Sequence, residues 1–193
     1  MIPRNLAITI VILLVALAGM GVYGWHLRRQ AVELLKTSAD TKPVAPPVSG
    51  PTERITIYVP DDDHGDLIRR EVTAALPPEP TLRAREIVRV LINQWQEKNS
   101  THPISNNADV REVFLLNSNK TAIVDVNGAF ADQHRSGVLV EELTMASLAR
   151  TLGTNINGLT EMKLLVDGRE RETLAGHADL TEFYSTNLEW HVE

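Results

Sequence analysis

The sequence predicts an α+β domain with the element order ββα-ββα-ββ, carried behind an N-terminal transmembrane helix. Three observations lead to this fold class. Apolar residues alternate in six short segments, as in strands with one buried face, and they recur at helical spacing in two longer segments. A run of twenty residues without a charge precedes all of them. Because the strands come in pairs joined by short turns, we expect an antiparallel or mixed sheet with both helices on one face.

The charge-free run is Leu6–Trp25, and at about 1.5 Å per residue a helix of this length spans roughly 30 Å, the thickness of a bilayer's hydrocarbon core. We therefore interpret residues 1–30 as a short tail and a transmembrane anchor that contacts the lipid bilayer through residues 6–25. The alternatives are a buried helix of a soluble domain and a cleaved signal peptide. The run is apolar on every face and ends in Gly24-Trp25-His26, which lacks the small residues of a cleavage site.

Residues 31–53 are predicted to extend this helix and then to form a proline-rich linker. Four prolines fall within residues 41–51, at 43, 46, 47 and 51. Proline fixes φ and lacks a backbone donor, so this stretch favours an extended, semi-rigid spacer. We place one domain over residues 54–184, followed by a short tail over residues 185–193.

The first predicted unit of the domain is a hairpin followed by a helix. A strand over Thr52–Val59 ends at Pro60, and a second alternating strand reaches from Ile68 to Leu76. Thr81 is the expected N-cap of the helix. The apolar stripe of this helix, at helical spacing, consists of Ala84, Ile87, Val88, Leu91, Ile92 and Trp95.

The second unit repeats the same order. Strands are expected near 112–116 and over 122–126, joined by a turn through 117–120. Ser136 is the expected cap of a helix over residues 137–152 that ends near Gly153.

A last hairpin completes the predicted sheet. It pairs Glu161–Val166 with Arg169–Leu174 through the dipeptide Asp167-Gly168. Asp-Gly is a strong two-residue hairpin signal because both residues tolerate a left-handed backbone.

Charge and cysteine content exclude several function classes. The chain has 19 basic and 25 acidic residues, and residues 1–51 hold five of the basic and two of the acidic ones. The remaining 14 basic and 23 acidic residues give the part after the linker a net charge of −9. Such an acidic domain is a poor candidate for binding nucleic acid. The absence of cysteine excludes disulfides, zinc-thiolate sites and thiol catalysis.

The densest group of oxygen ligands is the acidic loop Asp61–Asp66, which contains four aspartates and His64. Calcium favours such ligands, but a twelve-residue calcium loop requires a glutamate where this chain has Val72. We interpret the loop as a solvated hairpin turn and assign no metal ligand.

Paired carboxylates for glycan cleavage would have to come from Glu141 and Glu142 together with Glu112 or Asp125. Neighbouring side chains of a helix point about 100° apart, so Glu141 and Glu142 cannot share one site. Acids in a first helical turn are explained by the helix dipole. We therefore assign no catalytic residue and no cofactor.

The other polar candidates show no catalytic pattern. The serines at 136, 147 and 185 lack a nucleophile elbow, and the histidines lack the spacing of a helical zinc motif. Asn99 and Asn119 begin glycosylation sequons that we interpret as plain polar loops. The six histidines are His26, His64, His102, His134, His177 and His191.

The last dozen residues contain four large apolar or aromatic side chains. We expect them to pack on the domain's own sheet; docking of a partner is the alternative, because aromatic residues are enriched at interfaces. They are Phe183, Tyr184, Leu188 and Trp190.

Four segments in order carry a resemblance to a known family. They are RITIYVPDDD, TAIVDVNGAF, EELTMASLARTLGTN and MKLLVDGRERETLAGHADLTEFY. Together they resemble the GerMN domain family, which is named for sporulation and germination proteins, over roughly residues 54–184. Asn127 stands where the family usually has Ser or Thr, and the cysteine that anchors lipoprotein members is missing. The resemblance implies that His177, in the Gly-His turn, has a structural role.

The resemblance also implies a function. It indicates a non-catalytic, extracytoplasmic module on the inner membrane of a bacterium, which binds or assembles with envelope proteins, peptidoglycan or a second copy of itself. The charges around the predicted span, Arg4 against Arg28, Arg29 and Lys36, lean weakly towards a cytoplasmic domain instead. The alternative functions are a peptidoglycan-acting hydrolase and a small-ligand sensor.

Overall fold

The structure is a computed structural model that describes residues 45–47 and 50–187. The predicted anchor, most of the linker, and Leu188 and Trp190 lie outside the described residues. No helix in the part of the chain that the structure describes is both long enough and apolar enough to cross a membrane.

Strands and helices alternate along the described chain much as the sequence predicts. The strands are β1 (Thr52–Asp61), β2 (Asp66–Ala75), β3 (Val110–Leu116), β4 (Thr121–Val126), β5 (Glu161–Val166) and β6 (Tyr184–Ser185), and the helices are α1 (Pro80–Trp95), α2 (Gly128–Asp132) and α3 (Val138–Asn155).

The six strands form two sheets rather than one. Strands β1 and β2 make an antiparallel hairpin by themselves, whereas the other four form a sheet in the order β3-β4-β5-β6. Within that sheet β4 and β5 are parallel and the other pairs are antiparallel. Helix α3 is the crossover that the parallel pair requires. The predicted α+β class with a mixed sheet is confirmed, and its division into two sheets is a correction.

The predicted last strand, Arg169–Leu174, is wrong. The Asp167-Gly168 turn forms, with φ of 52° and 72°, but only Val166 and Arg169 pair across it. Of the six residues after the turn only Leu174 is apolar, so this segment lacks the alternating apolar side chains that would pack one face of a strand against the core. Strand β6 takes its place beside β5.

The ends of the helices also differ from the prediction. Helix α1 begins two residues earlier, at Pro80, because the Glu79 carboxylate accepts hydrogen bonds from the backbone N–H groups of Thr81 and Leu82 at 3.0 and 2.6 Å. Thr81 is therefore not the cap. Proline suits the first helical position because its missing N–H would have no partner there.

Helix α3 is capped at Gly137 rather than Ser136, and it continues through Gly153 to Asn155. A Cβ atom at Gly153 would lie 2.5 Å from the Cβ of Thr186. The glycine is thus explained by the close approach of the chain around β6 and not by a helix end. The short helix α2 is a further element that the apolar periodicity does not predict.

The main core lies between the inward faces of both sheets and helices α1 and α3. Its largest fully buried side chains include Trp95, Phe130 and Met145 together with the predicted apolar stripe of α1. A smaller, separate cluster lies between the hairpin and α3 and consists of Tyr58, Leu67, Leu143 and Ala146.

A polar stripe on α3 completes the edge of β1 that faces away from β2. Thr151 Oγ1 accepts a hydrogen bond from the backbone N–H of Tyr58 at 3.0 Å, and Ser147 Oγ donates to the carbonyl of the same residue. One turn further, the Asn155 amide bonds both backbone groups of Thr56, at 3.3 and 2.6 Å. Residues four apart lie on one face of a helix, so this stripe acts as a neighbouring strand would.

Replacing Thr151 by valine tests this edge. Valine has nearly the same shape but leaves the buried N–H of Tyr58 without an acceptor, so we expect the free energy of unfolding to fall by about 1–3 kcal/mol. Thr154→Val, an exposed position on the same helix, is the matched control and should change stability by less than about 0.5 kcal/mol. Equal effects of the two substitutions in denaturant unfolding would contradict this role of α3.

Candidate interaction surface

The most exposed large apolar side chains of the four-stranded sheet lie at one edge of its outer face. Phe114 and Leu116 of β3 are 49% and 47% exposed, and their register places Ile123 of β4 beside Phe114. We call Phe114, Leu116 and Ile123 the outer-face patch. Among the described strands β3 pairs only with β4, so its other edge has no strand beside it. An exposed edge with apolar side chains is a template for a further strand.

The turn that follows β3 has an unusual backbone. Asn117, Ser118 and Asn119 all have positive φ, at 52°, 57° and 69°. Non-glycine residues are uncommon in this left-handed region, and such conformations occur disproportionately at functional sites. The strained turn lies directly next to Leu116, at the end of the outer-face patch.

On the opposite side of the same face, the C-terminal aromatic residues divide into two environments. Phe183 is exposed, with the Lys163 ammonium 5.4 Å from the centre of its ring. Tyr184 is part of β6, packs against the main core, and donates its hydroxyl hydrogen to the carbonyl of Asp179 at 2.8 Å. Packing on the domain's own sheet is therefore confirmed for Tyr184; Leu188 and Trp190 lie outside the described residues.

Three of the domain's carboxylates come together between β3, β4 and the Asp167-Gly168 turn. Glu112 and Asp125 are cross-strand partners, and Arg111 contacts Asp125 at 3.3 Å and Asp167 at 2.7 Å. Burial raises the pKa of Asp125; the backbone N–H of Gly168 and the charge of Arg111 oppose this shift, whereas the charges of Asp167 and Glu112 add to it. A carboxyl with a raised pKa beside ionised ones is the arrangement that a general acid requires.

Both oxygens of the Asp125 carboxylate are already occupied. Oδ1 accepts a hydrogen bond from the N–H of Gly168 at 2.7 Å, Oδ2 faces Arg111, and the side chain is largely buried. Glu112 is held by Arg85 at 3.1 Å. Of the acids that the sequence suggests as a pair, Glu112 and Asp125 lie in this cluster, whereas Glu141 and Glu142 take no part in it.

Glu141 instead organises the loop before Leu180. Its fully buried carboxylate accepts hydrogen bonds from the backbone N–H groups of four residues, at 2.9–3.1 Å, and contacts His177 Nδ1 at 3.0 Å. The four donors are Gly137, Ala175, His177 and Ala178. Burial alone would raise the pKa of Glu141, but these donors outweigh it and lower the pKa to about 2.

These contacts agree with a structural role for His177. Ser136 Oγ also approaches its Nδ1, at 3.4 Å, so the hydroxyl and the Glu141 carboxylate meet the same ring nitrogen. A relay of the Ser-His-acid kind needs the two partners on different nitrogens, so this trio is not one. Of the other candidate serines, Ser147 bonds β1 and Ser185 lies in β6.

The acidic loop uses its own oxygens to form the hairpin turn. Asp61 accepts hydrogen bonds from the N–H groups of Asp63 and His64, at 3.1 and 3.2 Å, and contacts the His64 ring at 3.0 Å. Asp62 points inward, where it meets His102 at 2.7 Å and Arg135 at 3.2 Å. These contacts engage the carboxylate oxygens of Asp61 and Asp62 within the domain. Sequence reasoning missed the inward role of Asp62 because its partners lie far away in the chain.

The fold and this surface define a small mixed α+β module whose edge strand β3 exposes apolar side chains. The family described as "Germane: Sporulation and spore germination" matches residues 56–172, more than half of the chain. The chain therefore belongs to this family, and the predicted resemblance is confirmed.

Three solved structures are similar in fold. The tandem GerMN domains of the sporulation protein GerM from Bacillus subtilis share 17% identity with a TM-score of 0.53, covering 70% of this chain and 46% of that one. This chain thus spans about half of the tandem protein. The first GerMN domain of GerM shares 17% identity with a TM-score of 0.49, covering 66% of this chain and 92% of that one. A lipoprotein candidate from Clostridium perfringens shares 15% identity with a TM-score of 0.46, covering 74% of this chain and 93% of that one. No curated protein matches the chain.

The low pKa of Glu141 makes a prediction for acid stability. Because the pKa falls from 4.5 to about 2 on folding, this carboxylate contributes about 3 kcal/mol above pH 4.5, and the contribution is lost as the pH falls towards 2. We expect Glu141→Gln to lower stability at neutral pH and to flatten the loss of stability between pH 4.5 and 2. Glu142→Gln, its exposed neighbour, should preserve the wild-type pH profile. Urea unfolding at several pH values measures both, and identical profiles for the two variants would refute the role of Glu141.

Proposed function

We propose that this chain is a single-pass protein of the bacterial inner membrane whose GerMN domain binds or assembles with other envelope components. The observation that carries the proposal is the outer-face patch, in which Phe114 and Leu116 lie half exposed on an edge strand. Natural proteins usually protect such edges with charges, proline or a covering element. The last four residues of strand β3, Val113–Leu116, contain neither a charge nor proline, and no described strand lies beside their free edge.

The contrast with the other sheet supports this assignment. The free edge of β1 is occupied by the polar stripe of helix α3, so its backbone groups have partners within the domain. Strand β3 is left available for an extended segment of a partner, which would gain backbone hydrogen bonds and apolar contacts on alternate side chains. The partner is an envelope protein, peptidoglycan or a second copy of the chain.

The chain outside the described residues supports the location. The charge-free run at residues 6–25 has the length and composition of a membrane span, and the proline-rich linker would hold the domain away from the bilayer. The extracytoplasmic orientation rests on family membership, because the charges flanking the span lean weakly towards the opposite orientation. The family's description supports a role in sporulation or germination.

Site-specific photo-crosslinking tests the proposed surface. A photoreactive amino acid is placed at position 114 or 116 of the full-length chain, in washed membranes of the native host. We expect a discrete adduct from both positions, and we expect Phe114→Lys to abolish the adduct from position 116 because a charge on the edge opposes strand pairing. The protein should remain in the membrane fraction.

Leu139 provides the matched control. It is 45% exposed and apolar but lies on helix α3, away from strand β3. An adduct of the same size from position 139, or none from 114 and 116, would contradict the proposal. Recovery of the protein in the soluble fraction would contradict the anchor while leaving the binding surface to be judged by the adducts.

The carboxylate cluster around Asp125 is the one observation that favours the alternative of a glycan hydrolase. Asp125 has the raised pKa of a general acid, and Glu112 and Asp167 are close enough to influence it. Against this function, both oxygens of Asp125 are engaged by Arg111 and Gly168 within the domain. We therefore propose a structural role for the cluster.

An assay with purified cell-wall glycan separates the two functions. We expect the full-length protein to release no reducing ends above the level of a heat-inactivated sample, and we expect Asp125→Asn to leave this result unchanged. Release of reducing ends by the wild type, together with its loss in Asp125→Asn but not in the exposed control Glu71→Gln, would establish the hydrolase instead.

A further inference from the structure

Four polar side chains meet beneath the tip of the β1–β2 hairpin, and the proposed function uses none of them. Asp62 comes from the hairpin loop, His102 from the segment after α1, His134 from the segment after α2, and Thr144 from α3. His102 and Thr144 are 1% and 0% exposed, and the Asp62 side chain is also buried. No residue spacing in the sequence predicts this cluster, because its members are spread over more than eighty residues.

Two imidazoles share a single hydroxyl in this cluster. His102 Nε2 lies 3.0 Å and His134 Nε2 lies 2.8 Å from Thr144 Oγ1. The same hydroxyl lies 2.9 Å from the carbonyl oxygen of Val140, to which it can donate. The other ring nitrogens face acceptors: His102 Nδ1 meets the Asp62 carboxylate at 2.7 Å, and His134 Nδ1 meets the carbonyl of Arg135 at 2.8 Å.

These contacts set a lower limit on the number of protons in the cluster. Facing an acceptor, each Nδ1 must carry a hydrogen, so a neutral ring would present the lone pair of its Nε2 to Thr144. The Thr144 hydroxyl has one hydrogen, for which the Val140 carbonyl also competes, so it can satisfy at most one of two such lone pairs. The second contact would then bring two lone pairs together at about 3 Å, which is unfavourable. At least one ring must therefore donate from both nitrogens, unless Asp62 holds the equivalent proton.

We infer that the Asp62–His102 pair holds this extra proton, that His134 is neutral, and that the cluster is a pH-dependent latch for the hairpin tip. In this state His102 donates to Asp62 and Thr144, and the Thr144 hydroxyl shares its hydrogen between the carbonyl of Val140 and Nε2 of His134. Removal of the proton at high pH leaves two opposed lone pairs. Addition of a second proton at low pH creates two imidazolium rings 5.8 Å apart. Both changes weaken the contacts of the latch, so the latch is most stable at the pH values between these two protonation steps.

The groups that face the cluster support this distribution of charge. Asp62 Oδ2 is also contacted by the Arg135 guanidinium at 3.2 Å, so a positive charge faces this carboxyl group. Burial lowers the pKa of His134, and the charge of His102 lowers it further; the carbonyl of Arg135 and the charges of Glu141 and Asp62 oppose this. A histidine whose pKa is lowered on folding contributes stability above its unfolded pKa, near 6.5, and loses it as the pH falls.

The latch closes over the smaller apolar cluster. Tyr58, Leu67, Leu143 and Ala146 lie between the hairpin and α3, separate from the main core. Two further hydrogen bonds join the same segments, from Asp62 N–H to the carbonyl of Thr101 at 3.3 Å and from the Thr101 hydroxyl to the carbonyl of Pro60 at 2.6 Å. A small cluster outside the main core opens at a lower free energy than the whole domain.

Nitrogen NMR of the histidine rings in the full-length protein tests the proton count directly. Of the His102 and His134 rings, we expect one at neutral pH to be protonated on both nitrogens and the other on Nδ1 alone. Neutral rings at both positions, with Asp62 ionised, would overturn the inference. This measurement needs no variant and decides the question even where a substitution prevents folding.

Unfolding and hydrogen exchange between pH 5 and 9 test the latch. Opening of the hairpin tip is linked to the gain of one proton at low pH and to the loss of one proton at high pH. We therefore expect the equilibrium constant for opening to rise by up to about tenfold per pH unit on the acid side and on the alkaline side of its minimum. His134→Gln should remove the acid limb, and His102→Asn should remove the alkaline limb. His64→Gln, which changes an exposed histidine of the same loop, should keep both limbs. A wild-type profile without either limb would refute the latch.

Discussion

The hydrogen bonds between helix α3 and the free edge of strand β1 are the interaction on which the rest of this domain depends. A two-stranded hairpin has little stability by itself. Ser147, Thr151 and Asn155 supply the partners that a third strand would provide. The same helix is the crossover between β4 and β5, and its first turn contains Glu141, which fixes residues 175–178. One helix thus connects the hairpin, the mixed sheet and the C-terminal loop.

This arrangement leaves the two sheets with different edges. Strand β1 is satisfied within the domain, whereas β3 has a backbone edge without a neighbouring strand among the described residues and two half-exposed apolar side chains. The left-handed turn at residues 117–119 ends the edge sharply. These properties distinguish β3 as the edge that the proposed function uses.

The electrostatics of the interior agree with a binding module. The buried and half-buried acids described above serve structural contacts: Glu141 holds backbone N–H groups, Asp125 and Asp167 hold Arg111, and Asp62 holds His102. A buried carboxylate is stable only with such partners. A raised pKa at Asp125 is therefore a consequence of its burial in a packed cluster, and by itself it does not indicate catalysis.

The sequence by itself determined the class of fold, the apolar stripe of α1 and strand β5 over Glu161–Val166, because alternation and helical spacing report directly which side of an element is buried. Family membership also followed from the order of short motifs. Only the tertiary structure decided the two-sheet division, the loss of the strand predicted at Arg169–Leu174, and the outward position of Phe114. It also decided the partners of Glu141 and Asp62. These features depend on hydrogen bonds between residues separated by about 35 to 100 positions, such as Thr56 with Asn155, and such pairs leave no periodic signal in the chain.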